Sequence, residues 1–374
     1  MKNLLVIEGL GVRFRLRDAT VHAVSDLDLT VRPGELLAVV GESGCGKSVL
    51  AHALLGLLPA NALVTGRALL HPARPAAPGP STQRRTLPRW SSVLPRPAGD
   101  RAESRRGSSG WSSRLSRRLR DSAEHQPEGT GAGGGGVGSG GAVDLLACGE
   151  KVLARSVRGR RIGLIPQSPA TALTVVRTGR RLLAETLTAH GRDPGLAAQV
   201  AIEAGLDPAD LERYPFELSG GMAQRLATAL ALATDPPLLI ADEPTSGLDR
   251  PLVDHTLDLL RRRCDAGAAV LLITHDLAAA ERVADTVAVM YASRIVEHRP
   301  AADLFRSPAH PYTQALLNAL PDRDFTPLPG HPPMLTALPP GCAFAARCPR
   351  VSETCATRPS GPVACHHPLV EVPA

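Results

Sequence analysis

A glycine-rich octapeptide, Gly41-Glu-Ser-Gly-Cys-Gly-Lys47-Ser48, lies between the apolar run Glu35–Val40 and an apolar stretch, Val49–Leu58, that reads as a helix. Strand, G-x-x-x-x-G-K-S and helix in this order constrain the fold more than anything else in the chain. So tight a wrap needs glycine's backbone freedom, and the N–H groups of Gly44–Ser48 then converge on an anion at a helix N-terminus. Lys47 meets the β/γ charge of a nucleotide and Ser48 offers a hydroxyl to Mg²⁺. Gly41, Ser43, Gly44, Cys45, Gly46, Lys47 and Ser48 are therefore the candidate nucleotide-binding residues. Far downstream, the apolar run Leu238–Ala241 ends in Asp242 and Glu243, and Pro244 stops the strand. In an open parallel sheet ligands gather beyond the carboxyl ends of strands, so both acids are aimed at a ligand. Asp242 fits a Mg²⁺ partner, and Glu243 is placed to polarise an attacking water as a general base.

The basicity of the chain does not signal nucleic acid. Residues 71–142 contain twelve Arg, no Lys and five acids, a net of +7, against +6 for the whole chain, so the remainder carries −1. That segment is rich in Pro, Ser, Gly and Arg and nearly free of branched apolar residues. Such a composition cannot bury enough surface to order itself, and it reads as a disordered insert, either a bare tether or a basic arm. No apolar run reaches the ~18 residues of a membrane span, and Met1–Leu10 lacks a signal-peptide layout. A cytosolic chain, or one docked on a membrane through partners, is expected.

Short strands are expected at Leu4–Ile7, Val21–Val24, Leu27–Val31 and Leu36–Val40, and another at Arg161–Pro166 that ends at Gln167. A helical stretch follows from Thr178 to about Ala233, broken near Gly205 and Pro208. Then come strand Leu238–Ala241, helix Pro251–Cys264, strand Ala269–Thr274, helix Leu277–Ala284 and strand Thr286–Tyr291. This alternation predicts a parallel α/β sheet. Beyond Arg299 the texture turns Pro- and Cys-rich, as in a separate appendage.

Leu218-Ser-Gly-Gly-Met-Ala-Gln-Arg225 is a Ser-Gly-Gly turn feeding a helix. By itself it reads either as a capped helix start or as a second anion site. In its place between the octapeptide and Leu238–Glu243 it resembles the signature of ABC-type ATPases. The remaining motifs stand in the same order: Gln167, Ser246-Gly-Leu-Asp249, and a lone histidine in Ile273-Thr-His275-Asp. The resemblance covers residues 4–300 outside the insert. It implies a P-loop NTPase with a RecA-like core, an antiparallel β subdomain and a helical signature subdomain at about 168–235. The ABC domain would span 1–300 and a Cys/Pro-rich C-terminal extension 301–374. It implies ATP and Mg²⁺ as ligands, with Ser48, Gln167 and Asp242 around the metal and Glu243, His275 and Gln167 catalytic. It further implies a head-to-tail pair of ATPase subunits, identical or paralogous, in which Ser219, Gly220 and Gly221 cap the partner's ATP and Asp249 lies at the dimer interface. The family usually stacks an aromatic on adenine. The corresponding region here, Phe14–His22, has no Tyr or Trp, leaving Phe14, an Arg or a His for that place.

Ile165-Pro-Gln-Ser-Pro, Ile240-Ala-Asp-Glu-Pro-Thr and Val289-Met-Tyr narrow the resemblance to the oligopeptide/dipeptide/nickel importer ATPases. So do Ser307-Pro-Ala-His310-Pro-Tyr and Gly341-Cys-Ala-Phe-Ala-Ala-Arg-Cys348-Pro. The resemblance implies two transmembrane permease subunits, an extracytoplasmic solute-binding protein acting indirectly, no contact with the solute itself, and a place on the cytoplasmic face of the membrane. A soluble ABC ATPase acting on ribosomes or nucleic acid through the Arg-rich insert is the alternative. Cys342, Cys348, Cys355 and Cys365 crowd the tail, and in a cytosolic chain such clustering suggests metal before disulfides. Their spacing is not that of common zinc modules. The resemblance points to a [4Fe–4S] cluster, with zinc or plain packing as alternatives. Cys45, inside the phosphate loop, is a candidate site of oxidation sensitivity.

Overall fold

In the five-residue run Leu36–Val40 (strand β3) every side chain is buried, and the same holds for Leu238–Asp242 (β7) and Ala269–Thr274 (β8). Continuous apolar runs of this kind suit parallel strands covered on both faces. The computed structural model describes residues 3–72 and 141–372. Apart from its ends, the expected disordered insert at 71–142 lies outside those residues.

Two sheets carry the described chain. The first is antiparallel, in the order β2-β1-β4-β5, from Leu5–Arg15 (β1), Thr20–Val31 (β2), Ala62–Leu70 (β4) and Val143–Asp144 (β5). The second runs β10-β9-β3-β8-β7-β6, with Ile162–Ile165 (β6), Thr286–Tyr291 (β9) and Arg294–Pro300 (β10). All its neighbours are parallel except β9 and β10. Alternation along the strands divides the core between the sheet's two faces. Leu37, Val39, Ile240 and Leu271 pack with the helix Lys47–Leu54 and the antiparallel sheet. Ala38, Val40, Ala241 and Leu272 pack with the helices Gly220–Leu232 and Arg250–Asp265. Pleating, with its period of two, produces this two-sided core.

Several elements differ from those expected. The two short strands expected at 21–24 and 27–31 are one strand, because Ser25 and Asp26 bulge between the pairs Val24↔Val12 and Leu27↔Leu10. Asp26 takes the left-handed φ of 47° that such a bulge requires. Strand β4 was not foreseen: Leu63–Arg67 is exposed and carries Gly66 and Arg67, so it shows no apolar alternation. The first helix ends at Leu54 rather than Leu58, where Gly56 turns the chain at φ 62°. The stretch expected to be mostly helical resolves into Gly179–Ala189, Ala197–Glu203 and Gly220–Leu232, with a break at Gly205.

Residues beyond Arg299 pack on this core. The helix Pro311–Asn318 and the segment from Leu328 to Cys365 contribute Tyr312, Cys342, Phe344 and Cys355 to the same apolar cluster as the sheet. Glu297 of β10 forms a bridge with Val363, and His298 N–H donates to Pro362 O at 2.8 Å.

Candidate nucleotide site

Sheet register gathers the predicted site along one edge. Val40 pairs with Thr274, Asp242 with Ile273 and Ile165 with Ala241. The residues that follow these strands, Gly41, His275, Glu243 and Gln167, therefore leave the sheet at neighbouring carboxyl ends.

The phosphate loop needs its glycines for space as well as for conformation. Gly41 has φ 151°, and a Cβ there would lie 2.1 Å from the Met290 carbonyl oxygen. Gly46 has φ 111°, and its Cβ would lie 1.9 Å from the carbonyl oxygen of Ala23. Gly46 caps the helix Lys47–Leu54, whose first amides have no carbonyl a turn earlier to receive them. Lys47 is buried, and its ammonium donates to the carbonyls of Gly41 at 2.8 Å and Glu42 at 3.0 Å. Cys45 is buried too. Burial pushes its thiol up, against the pull of the Lys47 charge, so the reactive thiolate behind the expected oxidation sensitivity is suppressed.

Ser48 Oγ donates to Asp242 Oδ1 at 3.0 Å, joining residues 194 apart in sequence. Burial raises the Asp242 carboxyl above its ordinary value, with Ser48 opposing and Glu243 adding to the shift. A hydroxyl paired with a buried carboxylate in this way is a donor set that suits Mg²⁺. Glu243 adopts a left-handed φ of 48° and its N–H donates to Ile273 O at 2.8 Å. This turn brings Glu243 Oε2 to 2.7 Å from His275 Nδ1. Because a carboxylate only accepts, that contact assigns the imidazole proton to Nδ1. His275 is in turn followed by a capped turn, in which Asp276 Oδ1 accepts from Ala279 N–H at 3.0 Å.

Gln167 is exposed on the loop after β6. The adjacent Pro166 carbonyl accepts a 3.1 Å hydrogen bond from the buried amide of Gln224. Gln224 was not singled out from the sequence, although a long polar side chain on a buried helix face of Ala, Leu and one Thr was the available signal. Ser219 and Gly220 are exposed at the start of that helix, and Ser219 Oγ accepts from Met222 N–H at 3.3 Å. A Cβ added at Gly221 would meet Leu248 at 3.5 Å and Leu252 at 3.7 Å. Asp249 precedes the helix Arg250–Asp265 without capping it. Among the described residues, no hydrogen bond joins 219–221 to 41–48. Phe14, a candidate for adenine, lies in β1 and packs half-buried on the core.

At the tail, Cys342 and Cys355 are buried and Cys348 and Cys365 half-buried, all four with free thiols. Burial pushes up the Cys342 and Cys365 thiols, and Cys348 and Cys355 add to both shifts. Backbone N–H groups of Arg350 and His367 donate to the sulfurs of Cys348 and Cys365 at 3.4 and 3.3 Å. Among the described residues, no three or more His, Cys, Asp or Glu are grouped to hold a metal ion.

A family profile described as "ABC transporter" matches residues 24–95 and 141–246. One described as "Oligopeptide/dipeptide transporter, C-terminal region" matches 296–355. The dipeptide transport ATP-binding protein DppD of Bacillus subtilis is 33% identical, over 95% of this chain and 89% of its own length. The chain belongs to the ABC transporter family. The oligopeptide transport ATP-binding protein OppD of Mycobacterium tuberculosis is 34% identical over 96% of the chain, which spans 49% of that longer protein. In fold, the chain is similar to the dimeric ADP- and phosphate-bound ATP-binding cassette MJ0796, with a TM-score of 0.55 and 16% identity over 79% of this chain and 98% of that one. This ABC chain is an ATPase subunit, and among its described residues no helix is long and apolar enough to cross a membrane.

Proposed function

We propose that this chain is the subunit that binds and hydrolyses ATP to drive an ABC importer for peptides or similar small solutes. The observation that carries the reading is one chain joining an ABC nucleotide edge to a tail of the oligopeptide/dipeptide transporter type. The named relatives, DppD and OppD, support it over an ATPase acting on ribosomes or nucleic acid.

In the proposed mechanism the loop from Gly41 to Ser48 cradles the phosphates, and Lys47 turns its ammonium from Gly41 and Glu42 to the β/γ oxygens. Mg²⁺, held by Ser48, Asp242 and Gln167, would neutralise the developing phosphate charge. Glu243 accepts a proton from water as the water oxygen bonds to the γ-phosphorus and the bond to the ADP oxygen breaks. His275 holds the Glu243 carboxylate in line and reaches the γ-phosphate. Ser219, Gly220 and Gly221 close over the ATP of a second ATPase subunit, with Asp249 at the shared interface. A groove of about 280 Å³ beside Pro166, lined by Leu55, Leu57, Leu173 and Thr186, suits a permease segment next to Gln167 on the cytoplasmic face of the membrane.

The tail's four free thiols, two with N–H donors on their sulfurs, are the groups that would hold a [4Fe–4S] cluster. At Cys342, Cys348, Cys355 and Cys365 such a cluster would staple the extension. Anaerobically purified protein should then be brown, with about four iron per chain.

The test of function is the chain reconstituted with its permeases in vesicles. Peptide-loaded binding protein should stimulate ATP hydrolysis, and Glu243→Gln should bind ATP without turning it over. Hydrolysis indifferent to peptide would overturn the import reading, and near-normal turnover of Glu243→Gln would overturn the general base.

A further inference from the structure

The second residue of the phosphate loop, Glu42, is held on every polar side. Its N–H donates to the Tyr312 hydroxyl at 3.1 Å, and its carbonyl accepts from Lys47 Nζ at 3.0 Å. Its carboxylate is grasped at both oxygens by Arg347, NH1 at 3.0 Å and NH2 at 3.3 Å. Tyr312 and Arg347 both come from the C-terminal extension, Arg347 from 305 residues away.

Arg347 is itself immobilised. Its side chain is 4% exposed, against 27% for Glu42. Nε donates to Pro329 O at 2.7 Å and NH1 also donates to the Tyr291 hydroxyl at 3.2 Å. Its guanidinium lies 5.7 Å from the Tyr291 ring centre and 5.9 Å from that of Phe344. A planar, always-charged fork clamped this way is a fixed positive charge, which a lysine could not match in geometry.

A carboxylate is an odd guest in an anion-binding loop. Glu42 directly follows Gly41 and its backbone carbonyl holds Lys47 Nζ at 3.0 Å, so its carboxylate, left unpaired, would oppose phosphate in the loop. Burial is what chiefly raises the Cys45 thiol, and the Glu42 charge adds to that shift from within the loop. We propose that Arg347 is a positioning residue that cancels the Glu42 charge, so that the C-terminal extension sets the nucleotide affinity of the phosphate loop. The inference rests on the nucleotide-site reading above and not on the identity of the solute. It also gives the extension a consequence for ATP: whatever displaces the segment around Arg347, which is followed directly by Cys348, exposes the loop to an unpaired carboxylate.

The test is binding of MgADP to the full chain by calorimetry. Arg347→Ala should weaken binding about tenfold, the effect of losing a charge-assisted contact. Glu42→Gln in the Arg347→Ala background removes the unpaired charge and should return affinity to within about threefold of the wild type. Recovery of this kind separates neutralisation from plain structural damage, which a second substitution does not repair. Glu42→Gln alone leaves the guanidinium uncompensated near the phosphates and should bind MgADP at least as tightly as the wild type. It reads the same interaction if Arg347→Ala fails to fold. Wild-type affinity in Arg347→Ala, no recovery in the double variant, or a tenfold loss in Glu42→Gln alone would each overturn the proposal. Lys47→Ala run alongside reports on the site reading separately, which fails if that variant binds MgADP as the wild type does.

Discussion

His310 is a buried acid sensor of stability, and its effect can be worked out. It is 1% exposed, and its Nδ1 accepts the Tyr312 N–H at 3.0 Å to cap the helix Pro311–Asn318. The Phe344 ring centre lies 6.0 Å away. Of the charged groups nearby, the Glu297 carboxylate is taken up by the N–H groups of Ala309 and His310, both at 2.9 Å, and by Arg299. Burial pushes the His310 imidazole down from 6.5 to about 4. A lowered folded value means that stability is fully present above pH 6.5 and is lost as pH falls toward 4. The whole shift corresponds to about 3 kcal/mol, and about 2 kcal/mol of it should vanish between pH 7 and pH 5. His310→Asn keeps a capping side chain but cannot titrate. Urea unfolding of both proteins at pH 7 and pH 5 isolates the term, since every other group titrates in both. The variant should lose about 2 kcal/mol less than the wild type over that interval. Equal losses would refute the reasoning and place the protonation of His310 outside this pH range.

Other perturbations probe other parts of the chain. Gly46→Ala puts a methyl 1.9 Å from the Ala23 carbonyl oxygen at φ 111°, and should cost about 1–3 kcal/mol of stability and abolish MgADP binding; thermal melts and calorimetry read both. Cys264, pushed up to about 12 by burial, should resist a maleimide at pH 8 in the native chain and react once urea unfolds it, as mass spectrometry would show. Deleting residues 74–139 and joining the ends with a short Gly-Ser linker should leave melting temperature and ATPase rate nearly unchanged. Leu70 and Val143 on either side are paired strand residues, and closure cost changes only as about 1.5 RT ln n.

Much of the nucleotide edge was legible because its constraints are local. The glycines of the octapeptide announce a tight wrap, and the run Leu238–Ala241 ending in two acids announces a buried strand with its charges at the carboxyl end. The ordered motifs through His275 then led to the ABC fold. Strand β4 was missed because its stability comes from pairing with β1, not from an apolar pattern of its own. The merging of two strands into β2 was hidden in one left-handed residue, Asp26, which nothing nearby in the sequence marks as a bulge.

The sequence by itself singled out Lys47, Ser48, Asp242, Glu243 and His275 as candidates to meet a phosphate, a metal and a water. Which of them touch was decided by tertiary structure. Ser48 reaches Asp242 because β3 and β7 flank β8 in register, and Glu243 reaches His275 because β7 and β8 end side by side. Glu42 and Arg347 lie 305 residues apart, and neither has a local pattern that calls for the other. Their pairing exists because the tail folds back over Tyr291 and buries Phe344 in the core of the sheet. Glycine-rich wraps and apolar periodicity are properties of a short stretch of chain and can be read along it. Charge pairing across a core depends on how distant elements pack, which only the folded chain specifies.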